Sequence, residues 1–163
     1  MEIVLVRVDS RLVHGQIIEA WVPHLRANCI CVVNDEVAND FFRETVIRMA
    51  VPQGVEVQFH GVEDFSSTIS PAKDDDRRAI VLFASVTDAM RAFRSGFEFS
   101  RLNLGNVYNE NCRRRLSSCV QLDEGEVASL KELLRSHVRI ELQRVPKERP
   151  VNLPAIPDIM DGM

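Results

Sequence analysis

Apolar residues recur along this chain in short dense blocks separated by longer stretches of mixed character. The blocks run Ile3–Val8, Cys29–Val33, Val55–Phe59, Ala79–Ala84, Leu102–Leu104, Cys119–Leu122 and Val138–Val145. They are rich in Val and Ile, and several are apolar at nearly every position, which predicts strands covered on both faces. Between most of them the apolar positions fall at helical spacing. This alternation predicts an α/β fold of three layers: a mostly parallel open sheet of about seven strands with helices on both faces. The last block, "VRIELQRV", alternates instead and reads as an edge strand with one wetter face, open to antiparallel pairing.

The intervening stretches predict helices over Gly15 to about Leu25, about Ala38 to Ala50, Val62–Ile69, Thr87–Ser95 and Asp123 to about Ser136. Pro52 and Gly54 close the second, and Ser85 or Thr87 caps the fourth. Asp123 followed by Glu126 has the spacing of a capping box. The third helix is weakened by Ser66, Ser67 and Thr68, which compete with the backbone for hydrogen bonds. "KDDDRR" at Lys73–Arg78 reads as a solvated turn. From about residue 146 the chain carries Pro146, Pro150, Pro154 and Pro157 and is expected to run as an extended tail on a single domain spanning 1–163.

The 163 residues are 45% hydrophobic and 27% charged, enough to bury a sizeable core. A formal net charge of −4 argues against a sequence-independent nucleic-acid binder. No apolar run approaches membrane-span length and the start lacks a signal-peptide pattern, so a cytoplasmic location without membrane insertion is expected. Cys29, Cys31, Cys112 and Cys119 offer no CxxC pair, and the first two read as small buried hydrophobes of a strand.

Chemistry concentrates where the first strand ends. "IVLVRVDSRLVHGQI" passes from an apolar run into Arg7, Asp9, Ser10 and Arg11, then sets His14 before Gly15 and Gln16. In an open α/β sheet the crevice beyond the carboxyl ends of the strands is where ligands bind. A helix starting near His14 turns its free amides toward an anion there, and Gly15 leaves the approach open. Imidazole is a nucleophile near neutral pH. Asp9 can hold one ring nitrogen and leave the other free, while Arg7 and Arg11 can meet phosphate oxygens with paired donors. These residues fit a phosphohistidine site that needs neither metal nor cofactor. A salt-bridged surface turn uses the same residue types, so spacing alone leaves both readings open.

The motif itself narrows the choice. "RVDSRLVHGQIIEAW" resembles the "RIDDRLIHGQV" signature of the IIB components of the mannose/fructose/sorbose family of the bacterial phosphoenolpyruvate-dependent sugar phosphotransferase system. The likeness continues through "VVNDEVANDFFRETVIRMAVPQGVEV", "LFASVTDAMR" and "LNLGNV". The resemblance implies that His14 accepts a phosphoryl group from phosphohistidine on a IIA partner and passes it to a sugar arriving through IIC and IID membrane components. Arg7, Asp9, Ser10, Arg11, Gly15 and Gln16 then shape the phosphate pocket. Ser85 and Thr87, after the fourth strand, are further phosphate-donor candidates. A regulatory phosphohistidine relay without sugar transport is the alternative. Two positions depart from the family pattern: Ser10 replaces a second acid, and Asn106 follows Gly105, a pair read as a tight turn, where a second glycine is common. On this reading, losing Arg7 or Arg11 slows transfer and leaves the fold intact.

Overall fold

The computed structural model describes residues 1–69 and 75–155. Seven strands form one sheet in the order β3-β2-β4-β1-β5-β8-β9, which is Glu56–His60, Cys29–Val33, Arg78–Phe83, Glu2–Val8, Arg101–Leu104, Arg139–Leu142 and Val151–Asn152. All neighbours are parallel except β9, which runs antiparallel to β8. The expected three-layer α/β sheet is therefore what the chain forms. A separate antiparallel hairpin joins β6 (Arg114–Ser117) to β7 (Val120–Leu122).

The central strands explain the layering. Along β2 and β4, Cys29, Cys31, Val33, Ala79, Val81 and Phe83 point into one apolar layer, and Ile30, Val32, Ile80 and Leu82 into another on the opposite face. The first layer is closed by α4 (Phe65–Thr68), α5 (Val86–Arg94) and α6 (Glu124–Arg135) through Phe65, Ala89, Met90, Leu130 and Leu133. The second is closed by α1, π-wound over Gln16–Trp21 and α-wound over Val22–Leu25, and by α2 (Asp35–Ala38) and α3 (Phe41–Ala50).

Caps set the helix boundaries. Ser85 Oγ accepts from Asp88 N at 3.1 Å, and Asp123 with Glu126 forms the anticipated capping box. The helix expected over 38–50 is split instead. Asn34 caps Val37 N and Asp40 caps Arg43 N, so two start signals in six residues produce two short helices. Two strand assignments also change. "VRIELQRV" is not the edge: its β8 lies between β5 and β9, and the edge is built from the proline-bearing tail. Cys119–Leu122 leaves the main sheet to pair with Arg114–Ser117, read from sequence as loop. Part of "KDDDRR" and Pro157 lie outside the described residues.

The chain winds outward to β3 on one side of β1 and to β8 on the other, so the carboxyl end of β1 faces the crevice of the sheet. No helix among the described residues is long and apolar enough to cross a membrane.

Candidate active site

The loop leaving β1 is fixed at both ends. Asp9 N donates to Phe83 O of β4 at 2.9 Å, and Leu12 N turns back onto Asp9 O at 2.9 Å. Leu12 takes a left-handed backbone, φ 55°, while its side chain is buried in the apolar layer under α1. That conformation costs a branched residue about 1–2 kcal/mol, which the buried anchor offsets. The amides of Ile17 and Ile18 then close onto His14 O at 3.0 and 3.1 Å, so His14 stands at the head of α1.

Asp9 is the hub. It is fully buried, and its Oδ2 receives His14 Nε2 at 2.8 Å, Arg7 Nη2 at 3.1 Å, Arg7 Nε at 3.3 Å and Asn106 Nδ2 at 3.0 Å. Its Oδ1 accepts the Arg11 amide at 3.1 Å. Burial alone pushes the carboxyl up. The hydrogen bonds from His14 and Asn106 and the charge of Arg7 outweigh it, and the carboxyl sits below its ordinary range. Asp9 is thus an anion holding Nε2, and Nδ1 of His14 meets no hydrogen-bonding group among the described residues. The ring is mostly enclosed, with 13% of the side chain exposed.

Arg7 does not play the part assigned from sequence. Its side chain is fully buried under the Trp21 ring, 5.4 Å from the centroid, and all five of its N–H donors are engaged. Besides Asp9 they reach Asn103 Oδ1 at 2.5 Å, Gln143 O at 2.8 Å and Arg144 O at 3.0 Å. With no donor left for phosphate, Arg7 is a positioning residue that orients Asp9. Burial lowers the guanidinium's pKa and Asp9 opposes that shift. Burial also overturns the expectation that its loss would leave the fold intact.

The other motif residues divide by exposure. Arg11 is half exposed, its Nε 3.9 Å from Asp9 Oδ1, so its guanidinium edge faces the solvent side of the loop. Ser10 turns its Oγ to the Tyr108 amide at 3.0 Å and its own amide to Asn106 O at 2.7 Å, stitching two loops together. Gln16 Oε1 accepts from Asn106 Nδ2 at 2.9 Å. A Cβ at Gly15 would come no nearer than 3.9 Å to any neighbouring group, which leaves that approach open. Ser85 caps α5 and Thr87 is exposed; neither makes a hydrogen bond to the motif.

Several members were invisible from the motif. Asn103 faces Arg7 because the two are register partners on β5 and β1. Gly105 is small for a reason other than a turn: a Cβ there would lie 1.9 Å from Arg7 Nη2 and 2.1 Å from Cζ. Asn106, a departure from the family pattern, supplies one of the donors to Asp9. The "LNLGN" run was the available signal, a polar Asn inside a strand otherwise apolar.

The chain matches, over residues 3–160, the family described as PTS system sorbose subfamily IIB component. It is 33% identical over 152 residues to the N-acetylgalactosamine-specific phosphotransferase enzyme IIB component 2 of Escherichia coli K12, covering 93% of this chain and 96% of that one. It is 30% identical over 153 residues to the sorbose-specific EIIB component of Klebsiella pneumoniae, covering 94% and 93%. The crystal structure of the Klebsiella pneumoniae IIBSor domain superposes with TM-score 0.84 at 30% identity, over 93% of each chain. That of manxB from Thermoanaerobacter tengcongensis superposes with 0.85 at 31% identity, over 95% and 94%. With motif, fold and full-length similarity in agreement, this chain belongs to the sorbose subfamily of phosphotransferase-system IIB components.

Proposed function

We propose that His14 carries a phosphoryl group between a phosphohistidine of a IIA partner and a sugar delivered through IIC and IID membrane components. The observation that carries the reading is the 2.8 Å contact of His14 Nε2 with the buried, anionic Asp9. It holds the proton on Nε2 and leaves the Nδ1 lone pair as nucleophile. Nδ1 attacks phosphorus as the P–N bond to the partner's imidazole breaks, and the electron pair of that bond returns to the leaving imidazole. In the second transfer a sugar hydroxyl oxygen attacks phosphorus, the P–Nδ1 bond breaks and the hydroxyl proton is released. Asp9 offsets the positive charge of the phosphorylated ring. The exposed edge of Arg11 and the free amides of Gly15 and Gln16 meet the phosphoryl oxygens. Ser85 and Thr87 remain outer candidates for the same role. A mannose-specific EIIAB component of Escherichia coli, 29% identical over 156 residues, has a name that pairs an A with a B unit, in keeping with a IIA partner. The sugar-specific names of the relatives favour transport over a purely regulatory relay.

Incubation with phosphorylated IIA protein and phosphopeptide mapping test the proposal. A single acid-labile, alkali-stable phosphate on His14 is expected, and none on His14→Ala. Label on His24, His60 or His137 overturns it. Arg11→Ala should keep its unfolding midpoint, because the side chain is half exposed, and slow transfer by roughly ten- to a thousandfold. An unchanged single-turnover rate would reduce Arg11 to a surface ion pair.

A further inference from the structure

Two segments outside the motif reverse the charge of the chain locally. Arg113, Arg114 and Arg115 lead into and occupy β6, and Arg144, Lys147 and Arg149 lie in the turn after β8, with Glu148 the one acid among them. The formal net charge of the whole chain is −4. Arg144 is paired with Glu148 at 3.1 Å. Arg113, Arg115, Lys147 and Arg149 are exposed and form no ion pair among the described residues.

The fold brings the two segments to opposite walls of one cleft of about 200 Å³, whose floor includes Gly105. Gly105 is the residue pressed against the Arg7 guanidinium, so the cleft backs directly onto the site. The hairpin is also tied to the His14 loop from above. Val107 bridges to Val120 through Val107 N to Cys119 O at 2.8 Å and Gln121 N to Val107 O at 2.7 Å, and Tyr108 N reaches Ser10 Oγ at 3.0 Å. Tyr108 itself is 68% exposed, an aromatic side chain in this cationic surround.

We infer that this cationic rim, Arg113 and Arg115 on one wall and Lys147 and Arg149 on the other, is the docking surface for the phosphoryl-donating IIA protein, which presents acidic side chains around its phosphohistidine. The inference rests on the His14 reading above and adds the partner's surface chemistry. Unpaired exposed cations contribute little to folding but raise the encounter rate with an anionic partner. A protein donor is favoured over an anionic lipid surface because the rim adjoins His14, where an occupant must supply a phosphoryl group.

The test measures His14 phosphorylation by the phosphorylated IIA protein for the native chain, Arg113→Glu/Arg115→Glu and Lys147→Glu/Arg149→Glu across a salt series. Each double variant should lose about tenfold or more in kcat/KM at low salt with kcat held, and its salt dependence should flatten. Phosphorylation of His14 by phosphoramidate, a small donor with no docking surface, should stay within about twofold of native, since these long-range charges act on encounter with a protein. Native kcat/KM in both variants overturns the inference while the His14 assignment stands. So does a parallel fall with phosphoramidate, which would mark a disturbed site, or a loss confined to binding of phosphatidylglycerol vesicles. If the native chain takes no phosphate on His14 from IIA, the underlying reading fails first and the inference falls with it.

Discussion

Gly105→Ala is expected to destabilise the protein by about 3 kcal/mol or more and to abolish phosphoryl uptake, although Gly105 lies outside the motif. The added Cβ would sit 1.9, 2.1 and 2.6 Å from Nη2, Cζ and Nε of Arg7. A flexible surface side chain would swing aside, but this guanidinium is covered by Trp21 and held by Asp9, Asn103 and two carbonyls of the turn after β8. Relief therefore requires either the backbone of β5 to move or the guanidinium to leave its partners. The first overpacks a filled interior, at about 1–3 kcal/mol. The second leaves the buried carboxylate of Asp9 without its counter-charge, and breaking such a pair costs about 3–5 kcal/mol. Urea unfolding would show the midpoint falling with little change in slope. The cause is checked by combining the substitution with Arg7→Met: once the guanidinium is gone, the alanine should add much less than it does alone. A native midpoint for Gly105→Ala would show that the Arg7 cage is looser than its hydrogen bonds imply.

The cage also shows what the sequence could and could not convey. The sheet was legible because its central strands are apolar at consecutive positions, a pattern that burial on both faces requires and few other arrangements tolerate. The His14 loop was legible because Arg, Asp, Ser and His cluster within eight residues right after a strand. What was missed is non-local. Nothing near Arg7 in the chain says that its register partner is Asn103, or that carbonyls of residues 143 and 144 close over it. An arginine in a phosphate-binding motif is naturally read as a phosphate ligand, and only its burial reveals that its donors are spent on holding Asp9. Gly105 was read as a turn residue by the same local logic, whereas its smallness answers to a side chain nearly a hundred positions away. The β6–β7 hairpin was missed because "RRRL" has the composition of solvated loop, and its pairing with β7 is tertiary context overriding local preference.

Asp9→Asn is expected to slow transfer from phosphorylated IIA by about a thousandfold or more, whereas Ser10→Asp should stay within about tenfold of the parent. The two substitutions exchange the same functional groups one residue apart, so the contrast isolates geometry. At Asp9 every neighbour is a donor: His14 Nε2, Arg7 Nε and Nη2 and Asn106 Nδ2 on one oxygen, the Arg11 amide on the other. An amide offers one acceptor. If its oxygen serves His14 and Arg7, its NH₂ opposes the Arg11 amide and unsettles the loop. If it turns round, the NH₂ faces His14 Nε2, which becomes the acceptor, and the ring proton moves to Nδ1, removing the nucleophile. Either way the charge that balances Arg7 is lost, so stability falls as well. That loss has a defined pH course. Asp9 titrates below its ordinary range in the folded chain, so the stabilisation it gives is complete above the unfolded value of about 4 and disappears as pH falls through the lower folded one. Parent and Asp9→Asn should therefore differ at neutral pH and converge in acid. Ser10 stands in another setting. Its oxygen already accepts from Tyr108 N, and a carboxylate can take the same hydrogen bond without disturbing the Asp9 hub. The remaining penalty is repulsion between the new charge and the phosphoryl group across a partly solvated gap, on the order of 1 kcal/mol. Single-turnover transfer across both variants decides the matter: a Ser10→Asp chain that no longer transfers, or an Asp9→Asn chain that transfers like the parent, would place the phosphoryl group on the Ser10 side of the loop and away from Nδ1.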